Sequence, residues 1–241
     1  MSRIQPVVAI DGPAGAGKST VSKRVAGALK FLLLDTGALY RCVALTAQRG
    51  GVTGDEEIAD LAHQLAAQGA IQFENLGAGE QAVLLSGEDV SKAIRTPEIS
   101  QGASRVSAIP AVRGALLEMQ RAVGRDGAVV VEGRDIGSVV FPDAEAKFFL
   151  TASVAERAKR RHEELLSRGA ADSDLNAVMR EVEERDRRDS NRPVAPLVQA
   201  PDAVLIDSTG LSIDQVVELI VKRVQRIAAE SDPQDATFLP R

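Results

Sequence analysis

The pattern with the clearest chemical meaning in this chain lies near its start, directly after the apolar run of residues 7–10. Its eight residues follow the spacing G-x-x-x-x-G-K-[ST] and are Gly12, Pro13, Ala14, Gly15, Ala16, Gly17, Lys18 and Ser19. Glycines let consecutive backbone N–H groups converge on phosphate oxygens, because no Cβ atom blocks the approach. The lysine adds positive charge beside the β- and γ-phosphates, the serine hydroxyl suits Mg²⁺, and the N-terminus of the following helix favours the same anion. The pattern therefore predicts a binding site for the phosphates of a nucleotide.

Three arginines stand at the ends of other predicted elements. Arg41 follows the second apolar run, Arg134 follows the third, and Arg192 ends a long charged helix. Phosphoryl transfer depends on positioning and on charge stabilisation by Arg, Lys and Mg²⁺, and a phosphate acceptor is already ionised, so that it needs no general base. Most other arginines between residues 154 and 192 alternate with acids and fit solvated ion pairs on helices equally well. The three at element ends are the better candidates for an acceptor site.

Composition and missing motifs narrow the class of protein. The chain lacks the Asn-Lys-x-Asp motif of GTP-binding switches, and residues 85–89 only begin like the Leu-Ser-Gly-Gly-Gln signature of transport ATPases. A net charge of −5 argues against a general nucleic-acid binder. One cysteine, Cys42, indicates a reducing compartment. Since no signal segment or membrane-spanning run is present, a cytoplasmic protein is expected. The two histidines, His63 and His162, are expected on helix surfaces.

Apolar runs predict the elements that must position these residues. Buried parallel strands are predicted at residues 6–11, 31–35, 128–132, 146–151 and 203–207, and helical patterns at 21–29, 58–66, 112–123, 175–182 and 213–224. Such alternation indicates a doubly wound α/β sheet, in which ligands bind at the carboxyl ends of the strands. Residues 70–74 and 81–86 alternate like antiparallel strands around a turn-rich stretch at 75–79, so an inserted hairpin is expected. Residues 230–241 show no periodicity and are expected to form a flexible tail.

Taken together, these residues resemble the bacterial cytidylate (CMP) kinase family. The resemblance runs from the first strand to about Arg226. Beyond the glycine-rich loop it is carried by residues 34–41, 87–91, 94–95, 132–137, 139–144, 185–186, 189–192, 195–197 and 207–209. It implies a P-loop kinase-type, five-stranded doubly wound parallel sheet with an inserted antiparallel hairpin module and a short Arg-rich lid. The implied single kinase domain spans residues 1–229, with a core at 1–37, 114–152 and 170–229, a CMP-binding insertion at about 38–113 and a lid at about 153–169.

The resemblance also implies roles for individual residues. Residues Gly12 to Ser19, together with Thr20, would bind ATP, with Ser19 as a Mg²⁺ ligand and Glu132 holding a water of the Mg²⁺ shell. Thr36, which stands where some members have serine, would hold the CMP phosphate with Arg41, Arg134 and Arg192. Arg185 and Asp189 would hold the ribose, and Ser104, Arg113 and Asp135 would read cytosine. Lys18, Arg134, Arg192 and the lid residues Arg157 and Arg161 are the catalytic candidates. Arg160 also lies in the lid, and the sequence does not decide which lid arginine contacts the transferred phosphate.

The function that this resemblance implies is ATP-dependent phosphorylation of CMP, and of dCMP, with Mg²⁺ as cofactor. A monomer is expected, with no nucleic-acid or membrane partner. Two alternatives stay open: a kinase for another monophosphate such as UMP or AMP, and a nucleotide-dependent binding switch. Asp135 also has a second interpretation, since it could pair with the adjacent Arg134 or cap the following turn.

Overall fold

The computed structural model describes residues 3, 5–77, 80–167 and 173–230. Its strands are β1 (Val7–Asp11), β2 (Leu32–Asp35), β3 (Ile71–Gly77), β4 (Glu80–Leu85), β5 (Glu88–Asp89), β6 (Val129–Gly133), β7 (Ala146–Thr151) and β8 (Val204–Asp207). Five of them form one sheet in the order β2-β6-β1-β7-β8, and every pairing in it is parallel. The predicted five-stranded α/β sheet is confirmed, with each strand within one residue of its predicted bounds.

The helices occupy the connections between these strands. They are α1 (Lys18–Leu29), α2 (Thr36–Gly50), α3 (Asp55–Ala67), α4 (Pro97–Val106), α5 (Pro110–Val123), α6 (Val154–Ser167), α7 (Leu175–Asn191) and α8 (Ile213–Glu230). A 3₁₀ turn spans Ala93–Arg95, and a π-helical turn spans Ile136–Val140. Across the part of the chain that the structure describes, none of the helices is both long and apolar enough to cross a membrane.

The core lies on both faces of the sheet. One face of β1 and β7 packs against α1 and α8 through residues such as Val25, Phe148 and Ile220. The opposite face packs Leu34 of β2 and Val129 and Val131 of β6 against the π-helical turn and α5. Because both faces are covered, the strands consist of nearly continuous apolar residues. The carboxyl ends of β1, β2 and β6 meet at one edge, and the candidate site is built there.

The predicted insertion forms a module with its own core, in which α2, α3, α4 and α5 surround the hairpin. The hairpin pairs β3 with β4, and a third short strand, β5, adds to β4. Residues 78 and 79 of the predicted turn lie outside the described residues. The predicted boundary at residue 113 falls inside α5, which is continuous from Pro110 to Val123. The division into core, insertion and lid therefore stays a prediction.

The predicted lid segment follows β7 and begins with α6. Apolar residues of α6 and α7 pack together around Ala158, Val178 and Val182, so α6 is anchored on α7. Residues 168 and 169 of the predicted lid, and residues 231–241 of the predicted tail, lie outside the described residues.

Candidate active site

The glycine-rich loop turns sharply between β1 and α1. Gly12 has φ +149°, and a Cβ atom added there would lie 1.9 Å from the carbonyl oxygen of Leu150 in β7. Gly17 has φ 87° at the N-cap of α1 and leaves the first turn without a side-chain cap. The N–H groups at the start of α1 are thus left for a ligand, as expected for an anion-binding helix N-terminus.

Lys18 and Ser19 open α1, where Lys18 is buried and Ser19 is exposed. The Nζ atom of Lys18 is buried and donates a hydrogen bond to the carbonyl oxygen of Pro13 at 2.7 Å. Burial, assisted by the charges of Arg134 and Arg185, lowers the pKa of Lys18 well below its usual value. Ser19 Oγ donates to Glu132 Oε2 at 3.1 Å. Burial and the charge of Asp35 raise the pKa of Glu132 to about 7.

Ser19 and Glu132 form a suitable oxygen donor set for Mg²⁺. A hydroxyl and a carboxylate lie within 3.1 Å of each other beside the phosphate loop. Mg²⁺ prefers oxygen ligands and usually takes one or two from the protein, with the rest from phosphate and water. The residues present therefore fit the ion that the family implies.

On the other side of Glu132 lies the start of α2. Thr36 Oγ1 donates to the backbone oxygen of Glu132 at 2.7 Å, because β2 and β6 are paired in register at Asp35 and Glu132. Arg41, one turn further along α2, forms an ion pair with Asp35. Glu132 is thus bonded through its side chain to the phosphate loop helix and through its backbone to α2.

A second group of charges joins the end of β6 to α7. Arg134 Nε donates to Asp189 Oδ2 at 3.0 Å. Arg185, one turn earlier on α7, is half-buried, and desolvation together with the charge of Arg134 lowers its pKa to about 10. Burial alone would raise the pKa of Asp189, but the charges of Arg134 and Arg185 outweigh it and hold the carboxylate below its ordinary value. Asp189 is therefore ionised and balances two arginines.

Asp135 lies at the centre of a third, fully buried group. One of its carboxylate oxygens pairs with Arg113 of α5, and the other lies 3.3 Å from Arg192 Nη2. Arg113 also lies over the ring of Tyr40, 5.6 Å from its centroid. Arg134 does not bond the Asp135 carboxylate, and the carboxylate does not cap the π-helical turn that follows. In this part of the described structure, Asp135 therefore neither pairs with Arg134 nor caps the following turn, which were the two arrangements of its second interpretation.

Several predicted residues of the acceptor side carry unsatisfied polar atoms. Among the described residues, six buried side-chain polar atoms have no hydrogen-bond partner, and three of these are Arg41 Nε, Ser104 Oγ and Arg185 Nε. Buried polar groups in folded proteins are nearly always paired. All three belong to residues that the resemblance assigns to the acceptor.

The three lid arginines have different surroundings. Arg157 is buried: its Nε donates to the Ala152 oxygen at 2.9 Å, and its Nη1 lies 3.0 Å from the Ala14 oxygen and 2.6 Å from Asp186 Oδ2. Arg160 bonds the oxygen and hydroxyl of Ser208 at 2.8 and 3.0 Å. Arg161 pairs with Glu164 at 2.8 Å on the surface of α6. Arg157 alone of the three bonds the phosphate loop directly.

Sequence reasoning named Asp135 and Asp189 but missed three other acidic residues of the site. Asp35 holds Arg41, Asp186 holds Arg157, and Asp11 binds two backbone N–H groups after Asp135. For Asp11 and Asp35, the only sequence signal of a role in the site was that each of them ends an apolar strand. Thr20 is exposed on α1, and Cys42 is fully buried.

Comparisons with known proteins cover nearly the whole chain. The sequence model of the family described as cytidylate kinase matches residues 8–226. The cytidylate kinase of Syntrophotalea carbinolica is 54% identical over 229 residues, which cover 95% of this chain and 96% of that protein. The cytidylate kinase of a Geobacter species is 50% identical over 228 residues, 94% of this chain and 95% of that one.

Two further matches are more limited, one to part of a longer protein and one to the fold. A bifunctional pantoate ligase/cytidylate kinase from a Synechococcus species is 46% identical over 95% of this chain, which corresponds to 42% of that longer protein. The crystal structure of an uncharacterized protein from Eubacterium ventriosum has a TM-score of 0.50 at 13% identity, covers 92% of this chain and 99% of that one, and shares the fold alone. Because the family match extends from β1 into α8 and the first two relatives align over nearly their full length, this chain belongs to the cytidylate kinase family of nucleoside monophosphate kinases.

Proposed function

We propose that this protein transfers the γ-phosphoryl group of ATP to CMP and to dCMP, giving ADP and the corresponding diphosphate. The observation that carries the proposal is the position of Glu132. Its side chain accepts a hydrogen bond from Ser19 at 3.1 Å, and its backbone oxygen accepts one from Thr36 at 2.7 Å. Glu132 thus connects the loop proposed to hold the donor phosphates with the helix proposed to hold the acceptor phosphate.

The donor side uses the phosphate loop. Backbone N–H groups of the loop and of the first turn of α1 would bind the β- and γ-phosphates, and Lys18 would add a cation beside them. Ser19, with Glu132 behind it, would hold Mg²⁺, which when bound supplies charge neutralisation at the phosphates. Arg157 already lies against the loop at Ala14, so we propose that it acts there, and that Arg161 reaches the transferred group from the surface of α6.

The acceptor side uses the arginines that now pair with acids. Thr36, Arg41, Arg134 and Arg192 are proposed to bind the CMP phosphate, and Arg185 with Asp189 the ribose. A bound phosphate would exchange places with the carboxylates of Asp35 and Asp189 as partner of Arg41 and Arg134. Because the acceptor oxygen is ionised, the side chains need only to position it and to balance charge.

The base is proposed to be read by Asp135, Arg113 and Ser104. Cytosine carries an amino donor at position 4, where uracil carries a carbonyl acceptor. An ionised carboxylate only accepts hydrogen bonds, so Asp135 would bond the amino group and repel the uracil oxygen. Ser104 contributes a buried hydroxyl that has no partner among the described residues.

A panel of acceptors tests the proposal. ADP release would be measured in a coupled assay with ATP, Mg²⁺ and each of CMP, dCMP, UMP, AMP and GMP. We expect CMP and dCMP to give the highest kcat/KM. A preference for UMP or AMP would establish the first alternative, and nucleotide binding without transfer to any acceptor would establish a binding switch. The monomeric state and the cytoplasmic location are also proposed, and size-exclusion chromatography with light scattering would check the former.

A further inference from the structure

The π-helical turn after β6 begins directly beside the proposed cytosine reader. Val140 N and Phe141 N donate to the oxygens of Asp135 and Ile136, at 3.2 and 2.7 Å, which is the i to i+5 pattern of a π-helix. Helical turns leave their first N–H groups without partners inside the turn, and π-turns are rare and concentrate at functional sites. The N–H groups of Ile136 and Gly137 therefore need an acceptor from elsewhere.

Asp135 occupies the N-cap position of this turn and does not supply that acceptor. Aspartate is among the preferred N-cap residues, since its carboxylate usually bonds the N–H groups of the first turn. Here both of its oxygens are directed to arginines, one to Arg113 and the other to Arg192 at 3.3 Å. The side chain proposed to read the base is therefore not available to cap its own helix.

Asp11 supplies the cap from another strand. Its Oδ1 accepts the Ile136 N–H and its Oδ2 accepts the Gly137 N–H, each at 2.8 Å, and the side chain is 4% exposed. Successive N–H groups that converge on one carboxylate make a small anion-binding concavity. Asp11 itself is fixed in the sheet, where it is paired with Gly133 of β6 and Phe149 of β7.

We infer that Asp11 is a positioning residue for acceptor recognition: by capping the π-helical turn it holds the backbone that carries Arg134 and Asp135. Because Asp11 is the cap, the Asp135 carboxylate can lie between Arg113 and Arg192 in the proposed base site. Asp11 directly precedes Gly12, the first residue of the phosphate loop. The same strand end therefore supports both halves of the site, the donor loop through its backbone and the acceptor side through its carboxylate. This inference rests on the proposed function, because it assigns Asp11 to the site that binds the acceptor.

The chain offers a matched control at the opposite end of β1. Glu145 Oε2 accepts the backbone N–H of Val7 at 2.9 Å, so it too is a carboxylate that bonds a backbone N–H of this sheet. It lies at the amino end of the strands, away from the proposed site. Asp11→Asn and Glu145→Gln each replace a carboxylate by an amide of the same shape. In D11N the NH₂ must face one of two backbone N–H groups, whereas in E145Q it faces the Val7 N–H or Arg3, which lies 3.1 Å from Glu145 Oε1.

The test compares wild type, D11N and E145Q in steady-state kinetics with CMP, UMP and ATP, together with thermal denaturation. For D11N we expect KM for CMP to rise about 10- to 100-fold, as for a displacement of order 1 Å, and the CMP/UMP ratio of kcat/KM to fall. KM for ATP should change by less than about threefold, since the loop keeps its own strand pairing. E145Q should change the melting temperature without changing any of these ratios.

The outcomes separate the inference from a general loss of stability. If D11N lowers only the melting temperature, as E145Q does, or raises both KM values in parallel, Asp11 has no special role on the acceptor side and the inference is wrong. If D11N does not fold, Asp11→Glu takes its place, because it keeps the charge but carries the oxygens past the two N–H groups, and the same KM split is expected. If wild type prefers another monophosphate, the proposed function fails, and that monophosphate then serves as the acceptor in the same comparison.

Discussion

Replacement of Asp135 by asparagine probes base discrimination most directly. Asparagine keeps the shape of the side chain but carries no charge, and it offers an NH₂ donor as well as an oxygen acceptor. Toward CMP it loses a charge-assisted hydrogen bond to the cytosine amino group. Toward UMP it gains a donor for the carbonyl oxygen at position 4. The variant should therefore lower activity with CMP and leave activity with UMP unchanged or higher.

The magnitude follows from the burial of the site. A hydrogen bond to a charged group contributes about 1.5–3 kcal/mol, which corresponds to a loss of about 10- to 150-fold in kcat/KM for CMP. Asp135 also balances Arg113 and Arg192, all three of them less than 10% exposed. Loss of one partner of a buried ion pair costs about 3–5 kcal/mol of stability, so D135N should also melt at a lower temperature. Alanine would add a cavity, which makes asparagine the cleaner variant.

The assay is the coupled measurement of ADP release with CMP and UMP, run well below the melting temperature of the variant. Asp202→Asn is the control, because the exposed Asp202 pairs with the buried Lys147 at 2.7 Å but lies before β8, away from the carboxyl ends of the strands. D202N should leave the CMP/UMP ratio of kcat/KM unchanged, whereas D135N should lower it at least about 10-fold. A parallel fall with both substrates would refute the reasoning and make Asp135 a structural residue.

Four more outcomes are expected. Lys18→Ala should keep the far-UV circular dichroism spectrum and lower turnover at saturating ATP by about 10²–10³-fold, and near wild-type turnover would contradict the role of Lys18. Arg134→Lys keeps the charge but loses the planar fork, so KM for CMP should rise at least about 10-fold with KM for ATP little changed; equal effects on both would place Arg134 elsewhere. Burial raises the pKa of the Cys42 thiol to about 12, so a thiol reagent should label it only on unfolding, and rapid labelling of folded protein would contradict its burial. Burial raises the pKa of Asp11 from 3.8 to about 6, so the folded state binds this proton more tightly than the unfolded chain. The free energy of unfolding of wild type relative to D11N, measured in urea titrations, should therefore fall as the pH rises from about 4 to about 6. A difference that stays constant over this range would contradict the shift.

The central strands β1, β6 and β7 could be predicted from the sequence because they are buried on both faces. Val129, Val130 and Val131 of β6 are completely buried, so each position had to be apolar and the run was easy to recognise. The phosphate loop was predictable for a related reason, since the approach of Leu150 to Gly12 admits no side chain. The helix α4 was missed because its buried face carries only two large apolar residues, Ile99 and Val106, and is otherwise made of Ala103 and Ser104. Its cap was nonetheless visible, as Thr96 stands before Pro97 and accepts the N–H of Ile99 at 3.3 Å.

The contacts that the aspartates of the site make could not be predicted in the same way. The arginines were noticed because they stand at element ends, whereas their partners depend on which strands become neighbours. Asp11 bonds Ile136 and Gly137 across more than a hundred residues, and Asp189 meets Arg134 across 55. Neither the π-helical turn nor the direction of the Asp135 carboxylate has a local sequence signature. Such contacts follow from the tertiary arrangement, and a single sequence does not carry them.

The order of the central sheet has a consequence for synthesis on the ribosome. β1 pairs with β6 and β7, and β2 pairs with β6, so the first two strands of the chain have no partner in the sheet until residues 129–133 have been made. At about 5–20 residues per second this wait lasts roughly 6–25 s. During that interval the phosphate loop follows an apolar strand that has no partner. This exposed segment can bind chaperones or aggregate. The nascent chain should therefore be unable to hold a nucleotide until β6 emerges, and translation rate through residues 36–128 becomes a determinant of folding yield.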